Sequence, residues 1–257
     1  MEDQNFWLPA PDEALRLAQN EVHVWSFLLE QTEEIYQRLQ ATLSDDERQR
    51  AAQFKFERLQ KRFVVARGAL RDILRRYLKV AAEKIAFEYE AHGKPKLTEA
   101  NNQNDIRFNL SHAENLALFA VSRGRAIGVD VEFIRPLADA EKIAKRFFAP
   151  RESSVFCALP AAQKPAAFFN CWARKEAFIK AIGEGLSHPL HRFDVSFIEG
   201  EPPALLSTRP NPEEARKWTL HALTPAPDHV GAFVVAGNRF DLTCWQWEAP
   251  LPPNRKS

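Results

Sequence analysis

The sequence predicts a mixed α+β protein built as two successive halves. One order of elements (strand, short helices, one long helix, then a run of strands) is read twice along the 257 residues. A composition of 45% hydrophobic and 27% charged residues, free of low-complexity tracts, is enough to bury a substantial core in each half. The two halves match in pattern rather than residue by residue, so the duplication is one of architecture.

The elements follow in order. Residues 1–20, with Pro9, Pro11 and several acids, are expected to form a loosely attached lead-in. Residues 21–29 (EVHVWSFLL) alternate and are rich in β-formers, which predicts a strand. Residues 31–40 suit a short helix. Ser44 with Glu47 three residues later has the capping-box spacing and opens another. Apolar residues at 59, 63, 66, 70, 73, 74 and 77 then keep one face of a long helix to Lys79. Strands are predicted at 85–90, 94–97, 107–111 and 116–122. The order restarts with a strand at 127–134, short helices at 139–147 and 150–157, and a long helix from Pro165 to Gly183, proline suiting its first turn and glycine its end. Strands recur at 192–198, 217–223, 229–236 and 240–247. The expected halves are 21–122 and 127–247, joined near 123–126, with 1–20 and 248–257 as flanking segments. A cleft between them is a natural ligand site. The tail EAPLPPNRKS after Trp247 is expected to be mobile.

Charge narrows the function classes. Thirty-five Lys and Arg against 34 Asp and Glu give a net charge of +1, which argues against a protein that coats nucleic acid or an acidic membrane as a whole. Between Glu47 and Arg76, however, ten basic residues face three acidic ones, a local surplus of +7. Three scattered cysteines (Cys157, Cys171, Cys244) make neither a disulfide framework nor a C-x-x-C zinc pair. With no secretory signal and no long apolar run, a cytoplasmic protein is expected.

The chemistry concentrates in a few places. In Ala126-Ile127-Gly128-Val129-Asp130-Val131-Glu132, strand alternation turns Ile127, Val129 and Val131 to the core and Asp130 and Glu132 to the other face. Two carboxylates so placed can share a cation, and oxygen donors without His or Cys favour a hard ion such as Mg²⁺. The alternative is an edge strand whose acids face water. On the second long helix, Trp172, Glu176, Ile179/Lys180 and Gly183 share a stripe; Glu176 and Lys180 are either a surface pair or a third carboxylate and a phosphate contact. His92-Gly93-Lys94-Pro95 is a turn presenting a lysine without P-loop spacing. Phe108-Asn109-Leu110-Ser111-His112 ends a strand on a hydroxyl and an imidazole. Arg50, Arg62, Arg67, Arg71 and Arg75 stand in the basic segment, the last three one turn apart on one face. Walker, dinucleotide-binding and nucleophile-elbow motifs are absent. His112-Ala113-Glu114 lacks the P-C-x-x-C that zinc deaminases require. Trp245 and Trp247 alternate on a strand as a packing face would.

Together, Ile127-Gly128-Val129-Asp130-Val131-Glu132 and Trp172-x-x-Lys175-Glu176-Ala177-x-x-Lys180-Ala181-x-Gly183-x-Gly185, preceded by Gly93-Lys94-Pro95 and Phe108-Asn109-Leu110-Ser111-His112, resemble the Sfp-type 4′-phosphopantetheinyl transferases. The resemblance is dense from 93 to 190 and weaker back to 43. It implies two similar halves related by a pseudo-twofold axis, each a small antiparallel sheet against a long helix, with the active site between them. It implies transfer of phosphopantetheine from coenzyme A to a serine of an apo acyl, peptidyl or polyketide carrier protein, with adenosine 3′,5′-bisphosphate released. By position, Asp130, Glu132 and Glu176 would hold Mg²⁺, or Mn²⁺ in its place; Glu176 would take the serine proton, directly or through water, and Lys180 would contact the pyrophosphate. Ser111, His112, Arg50, Arg62 and Arg67 would bind the 3′-phosphate, and Lys94 would approach the adenosine. Ala113 stands where many members carry a serine, so that hydroxyl is absent. The expected partners are coenzyme A and a carrier protein, with no nucleic acid or membrane, and the chain is expected to be a monomer. The rivals are a nucleic-acid-binding module using the basic helix, which leaves the carboxylates unexplained, and a Mg²⁺-dependent phosphohydrolase that needs no protein acceptor.

Overall fold

Residues 6–249, apart from 12, 91 and 92, are described by a computed structural model. His92 and the tail from 250 onward therefore lie outside the described residues. The first half contains β1 (Trp7–Pro9), β2 (Glu21–Leu28), α1 (Glu33–Ala41), α2 (Asp45–Ala52) and the long α3 (Glu57–Leu78). It continues with β3 (Phe87–Tyr89), β4 (Pro95–Leu97), β5 (Ile106–Ala113) and β6 (Leu116–Arg123). The second contains β7 (Ile127–Phe133), α4 (Ala140–Phe147), α5 (Pro150–Ala158) and the long α6 (Lys164–Ile182). After it come β8 (Phe193–Val195), β9 (Leu205–Thr208), β10 (Trp218–Leu223), β11 (His229–Ala236) and β12 (Asp241–Gln246).

The duplicated order is matched by duplicated pairing. β2, β6 and β5 lie side by side and antiparallel; so do β7, β11 and β10, in the same sequence of roles. A small hairpin follows each long helix, β3–β4 in one half and β8–β9 in the other. Val24, Leu118, Val129, Val131, Phe233 and Val235 form a layer between the two main sheets. Each sheet's remaining apolar face is covered by its own long helix, through Leu70, Ile73 and Leu74 on α3 and Phe178 and Ile179 on α6. Among the described residues no helix is long and apolar enough to cross a membrane.

Two regions differ from the sequence-based expectation. The lead-in is tied down: β1 pairs in parallel with β12, Leu17 is buried, and Leu15 N donates to Arg76 O at 2.8 Å. β12, expected among the strands of the second half, lies in the first half's sheet, parallel to β2 and between it and β1. The cause is aromatic burial. Trp247 is buried, sits edge-on to Phe27 at 5.6 Å and donates its indole N–H to Asp72 at 2.7 Å. Parallel pairing between strands so far apart in sequence leaves no local signature.

One buried ion pair recurs in both halves. Glu47 accepts from the Ser44 backbone N–H at 3.1 Å, the cap read from sequence, and from Arg71 Nε at 2.8 Å. Arg71 also donates to the carbonyls of Ala82 and Ile85, both at 2.8 Å. In the second half Glu152 accepts from Ala149 N at 2.8 Å and from Lys175 Nζ at 2.7 Å, and Lys175 donates to the carbonyls of Leu190 at 2.9 Å and Phe193 at 2.6 Å. Each cation thus ties its long helix to the cap of the preceding helix and to the segment that follows.

α6 meets β7 at backbone distance. A Cβ on Gly128 would fall 2.2 Å from Ala177 O and 2.3 Å from Ala181 N, so only glycine permits this contact. Gly128→Ala is therefore expected to force strand and helix apart and lower stability by about 1–3 kcal/mol in urea titration. Lys175→Met, which strands the Glu152 carboxylate, is expected to cost about 3–5 kcal/mol. Adding Glu152→Gln should recover part of that loss; a double variant whose two losses simply add would refute the pairing.

Candidate active site

The alternation read in β7 holds. Ile127, Val129 and Val131 enter the layer between the sheets, while Gly128 meets α6 and Asp130 meets Lys180 from the same helix. Lys180 Nζ lies 2.5 Å from Asp130 Oδ1 and 2.9 Å from Ser111 Oγ, and the Ser111 hydroxyl donates to the same Asp130 oxygen at 2.7 Å. Three separate sequence segments, two from the second half and one from the first, thus converge within hydrogen-bonding distance. β5 and β7 belong to different sheets, and side chains sew them together: Asn109 Oδ1 accepts from Val129 N at 2.8 Å.

The carboxylates repel one another. Burial first, and then the Asp130 charge, push Glu132 up to about 7, with Glu176 adding to the effect. Glu176 is raised for the same two reasons in the same order. Asp130 Oδ2 and Glu176 Oε1 are buried with no hydrogen-bond partner. Among the described residues no group of three or more His, Cys, Asp and Glu side chains is gathered tightly enough to coordinate an ion as placed; the Lys180 ammonium holds Asp130. The donor set nevertheless fits a hard cation. It offers oxygen alone, carries surplus negative charge, and leaves two desolvated carboxylate oxygens unsatisfied.

The predicted anion-binding residues divide. His112 remains solvent-accessible at the end of β5; the surrounding protein, and then the Lys180 and Arg62 charges, hold its imidazolium below the ordinary range. Arg62 pairs with Glu30 at 3.3 Å, and its Nε is buried without a partner. Arg67 is buried, 3.4 Å from Glu47 and lying over the rings of Phe63, Phe87 and Tyr89, with Nη1 unpartnered. The exposed Arg50 also lies over the Phe63 ring, at 5.7 Å. Arg71 is committed to the buried pair with Glu47, and Arg75 bonds Asp72 at 2.7 Å. The +7 segment is therefore no single anion-binding surface. Lys94 donates its ammonium to two backbone carbonyls, Ile127 at 3.1 Å and Lys180 at 2.6 Å. Trp172 belongs to the core, stacked on Phe168 at 5.8 Å.

Three residues inside the quoted motifs have structural roles that sequence reading did not assign: Gly128, Asn109 and Lys175. Only Gly128 had a usable signal, as a glycine inside a strand, which marks close backbone approach.

Comparison with known proteins places the chain in a family. Residues 126–235 match the family model for the 4′-phosphopantetheinyl transferase superfamily, and residues 29–123 match that for the N-terminal part of 4′-phosphopantetheinyl transferases. The chain is 42% identical over 244 residues to 4′-phosphopantetheinyl transferase HetI of Nostoc, covering 95% of this chain and 99% of that protein. It is 29% identical over 164 residues to 4′-phosphopantetheinyl transferase Sfp of Bacillus subtilis, covering 64% and 70%. The holo-[acyl-carrier-protein] synthase structure from Thermotoga maritima overlaps 44% of this chain and 64% of its own, with a TM-score of 0.35 and 23% identity. With its near full-length likeness to HetI and both of its halves matched, the chain belongs to the 4′-phosphopantetheinyl transferase superfamily.

Proposed function

We propose that the seam between the halves is where this transferase moves the phosphopantetheine arm of coenzyme A onto a serine of an apo carrier protein, in a Mg²⁺-dependent reaction. The observation that carries this is the Lys180–Asp130–Ser111 contact, which joins three motifs beside two unsatisfied carboxylate oxygens. In the reaction the carrier serine oxygen forms a bond to the phosphorus bearing pantetheine. The bond from that phosphorus to the bridging oxygen breaks, and adenosine 3′,5′-bisphosphate leaves. Asp130, Glu132 and Glu176 would hold the Mg²⁺, which supplies neutralisation of pyrophosphate charge.

The chain's own groups do the rest. Glu176 accepts the serine proton, its buried Oε1 having no hydrogen-bond partner that would compete for it. Lys180, held between Asp130 and Ser111, contacts the pyrophosphate and stabilises the leaving oxygen. Ser111, His112 and Arg62 form the nearest polar group for the 3′-phosphate, Arg62 and Arg67 each keeping an unpartnered guanidinium nitrogen. Arg50 lies beyond Phe63 as an outer positive charge.

Incubation with coenzyme A, Mg²⁺ and apo carrier proteins, read by intact mass, tests the reading. The carrier should gain one phosphopantetheine, and EDTA should abolish the gain until Mg²⁺ is restored. No gain across several carrier types, or breakdown of coenzyme A without it, would overturn the proposal. Glu176→Gln should reduce turnover by about 10²–10⁴-fold. Lys180→Ala should lower kcat more than it raises KM; an unchanged kcat would contradict its place in the transition state.

A further inference from the structure

We propose that Lys94 is a positioning residue, fixing the end of α6 from which Lys180 reaches the site; this rests on the role of Lys180 given above. The end of α6 raises a local problem. Its last carbonyls have no following turn to accept from. Ile179 O is satisfied by Gly183 N at 3.0 Å, with Gly183 in the left-handed region at φ 76°. The next carbonyl, that of Lys180 itself, accepts from Lys94 Nζ at 2.6 Å. A cation at a helix C-terminus is favoured by the helix dipole as well as by the hydrogen bond.

The same ammonium donates to Ile127 O at 3.1 Å. Ile127 opens β7 and pairs with Val235 of β11 on one side; Lys94 serves it on the other. One side chain from the β4 side of the first half's hairpin therefore clamps the start of β7 to the last turn of α6. Ile127 stands next to Gly128, and a Cβ on Gly128 would fall 2.7 Å from the Lys180 carbonyl carbon itself, so Lys94 grips both elements where they lie against each other. Glu90 supplies the compensating charge, against Arg107 and Lys180, and burial is what chiefly pulls the Lys94 ammonium below its ordinary range. With two of its three protons on carbonyls, Lys94 sets where the Lys180 backbone lies, and through it where the Lys180 ammonium meets Asp130 and Ser111.

A nucleotide contact at Lys94 makes the opposite kinetic forecast, so Lys94→Met and Lys94→Arg separate the two. For a positioning role, Lys94→Met lowers kcat at saturating coenzyme A by about tenfold or more, while the coenzyme A Kd, measured by calorimetry, moves by less than about threefold. Lys94→Arg, which keeps a cationic donor, recovers most of the rate. Amide exchange at 179–183 accelerates in Lys94→Met, a readout that needs no transfer activity. A Kd weakened about tenfold with kcat unchanged assigns Lys94 to the nucleotide and overturns the inference. Unchanged exchange at 179–183 also overturns it, whatever the rate. If Lys94→Met does not fold, Lys94→Gln, which is uncharged and too short to reach both carbonyls, is measured the same way and must show the same split. Failure of the unaltered protein to load any carrier would instead sink the transfer reading, leaving the exchange result to decide the clamp.

Discussion

Lys175 is completely buried, and its ammonium has no water to turn to. It is satisfied by Glu152 and by two carbonyls from the segment after α6. Removing any one of these leaves an uncompensated group in a desolvated place, so α6 cannot roll about its axis without breaking several strong interactions. At 3.6 residues per turn, Lys180 lies about 140° round the helix from Lys175, and Glu176 stacks one turn before it. Fixing the buried lysine on one face therefore fixes the acid and base on the other. Gly128 then lets that face come close enough to β7 for Lys180 to reach Asp130.

The first half repeats this device and puts it to another use. Arg71 holds α3 as Lys175 holds α6. One residue beyond each buried cation stands an acid, Asp72 or Glu176, and five beyond stands a second base, Arg76 or Lys180. In the second half these face β7, with β5 of the other half alongside. In the first half they face β2, and β12 lies alongside it instead. There Asp72 is occupied by Arg76 and by the Trp247 indole, and the Arg76 guanidinium lies over Trp25 at 5.4 Å. Aromatic side chains fill the place that the second half leaves polar. The two halves share a scaffold, and the second presents Lys180 and Asp130 at the seam, where Ser111 of the first meets them.

Much of this was legible in the sequence. The alternation of 127–132 gave the correct faces of β7 because period-two patterning survives whenever both faces are packed. Ser44 and Glu47 marked a helix start because a cap is a local interaction. The crossing of β12 was not legible, since its partner β2 lies at the other end of the chain. Nor could charge counting sort the arginines. Arg71 and Arg67 are buried by Glu47 and by rings of β3, Phe87 for both and Tyr89 for Arg67, whereas Arg62 reaches the neighbourhood of His112. Lys94 illustrates the same limit. Its motif position was clear, but its partners are backbone carbonyls, which leave no mark on the sequence.

The central claim is that coenzyme A binds across the seam with its pyrophosphate at Lys180 and the Asp130–Glu132–Glu176 carboxylates. A crystal structure with coenzyme A and Mg²⁺ tests it most directly. The account predicts a pyrophosphate oxygen within hydrogen-bonding distance of Lys180 Nζ, the metal on the three carboxylates, and the 3′-phosphate at Ser111, His112 and Arg62. A pyrophosphate lodged elsewhere, with Lys180 still closed on Asp130, would contradict it.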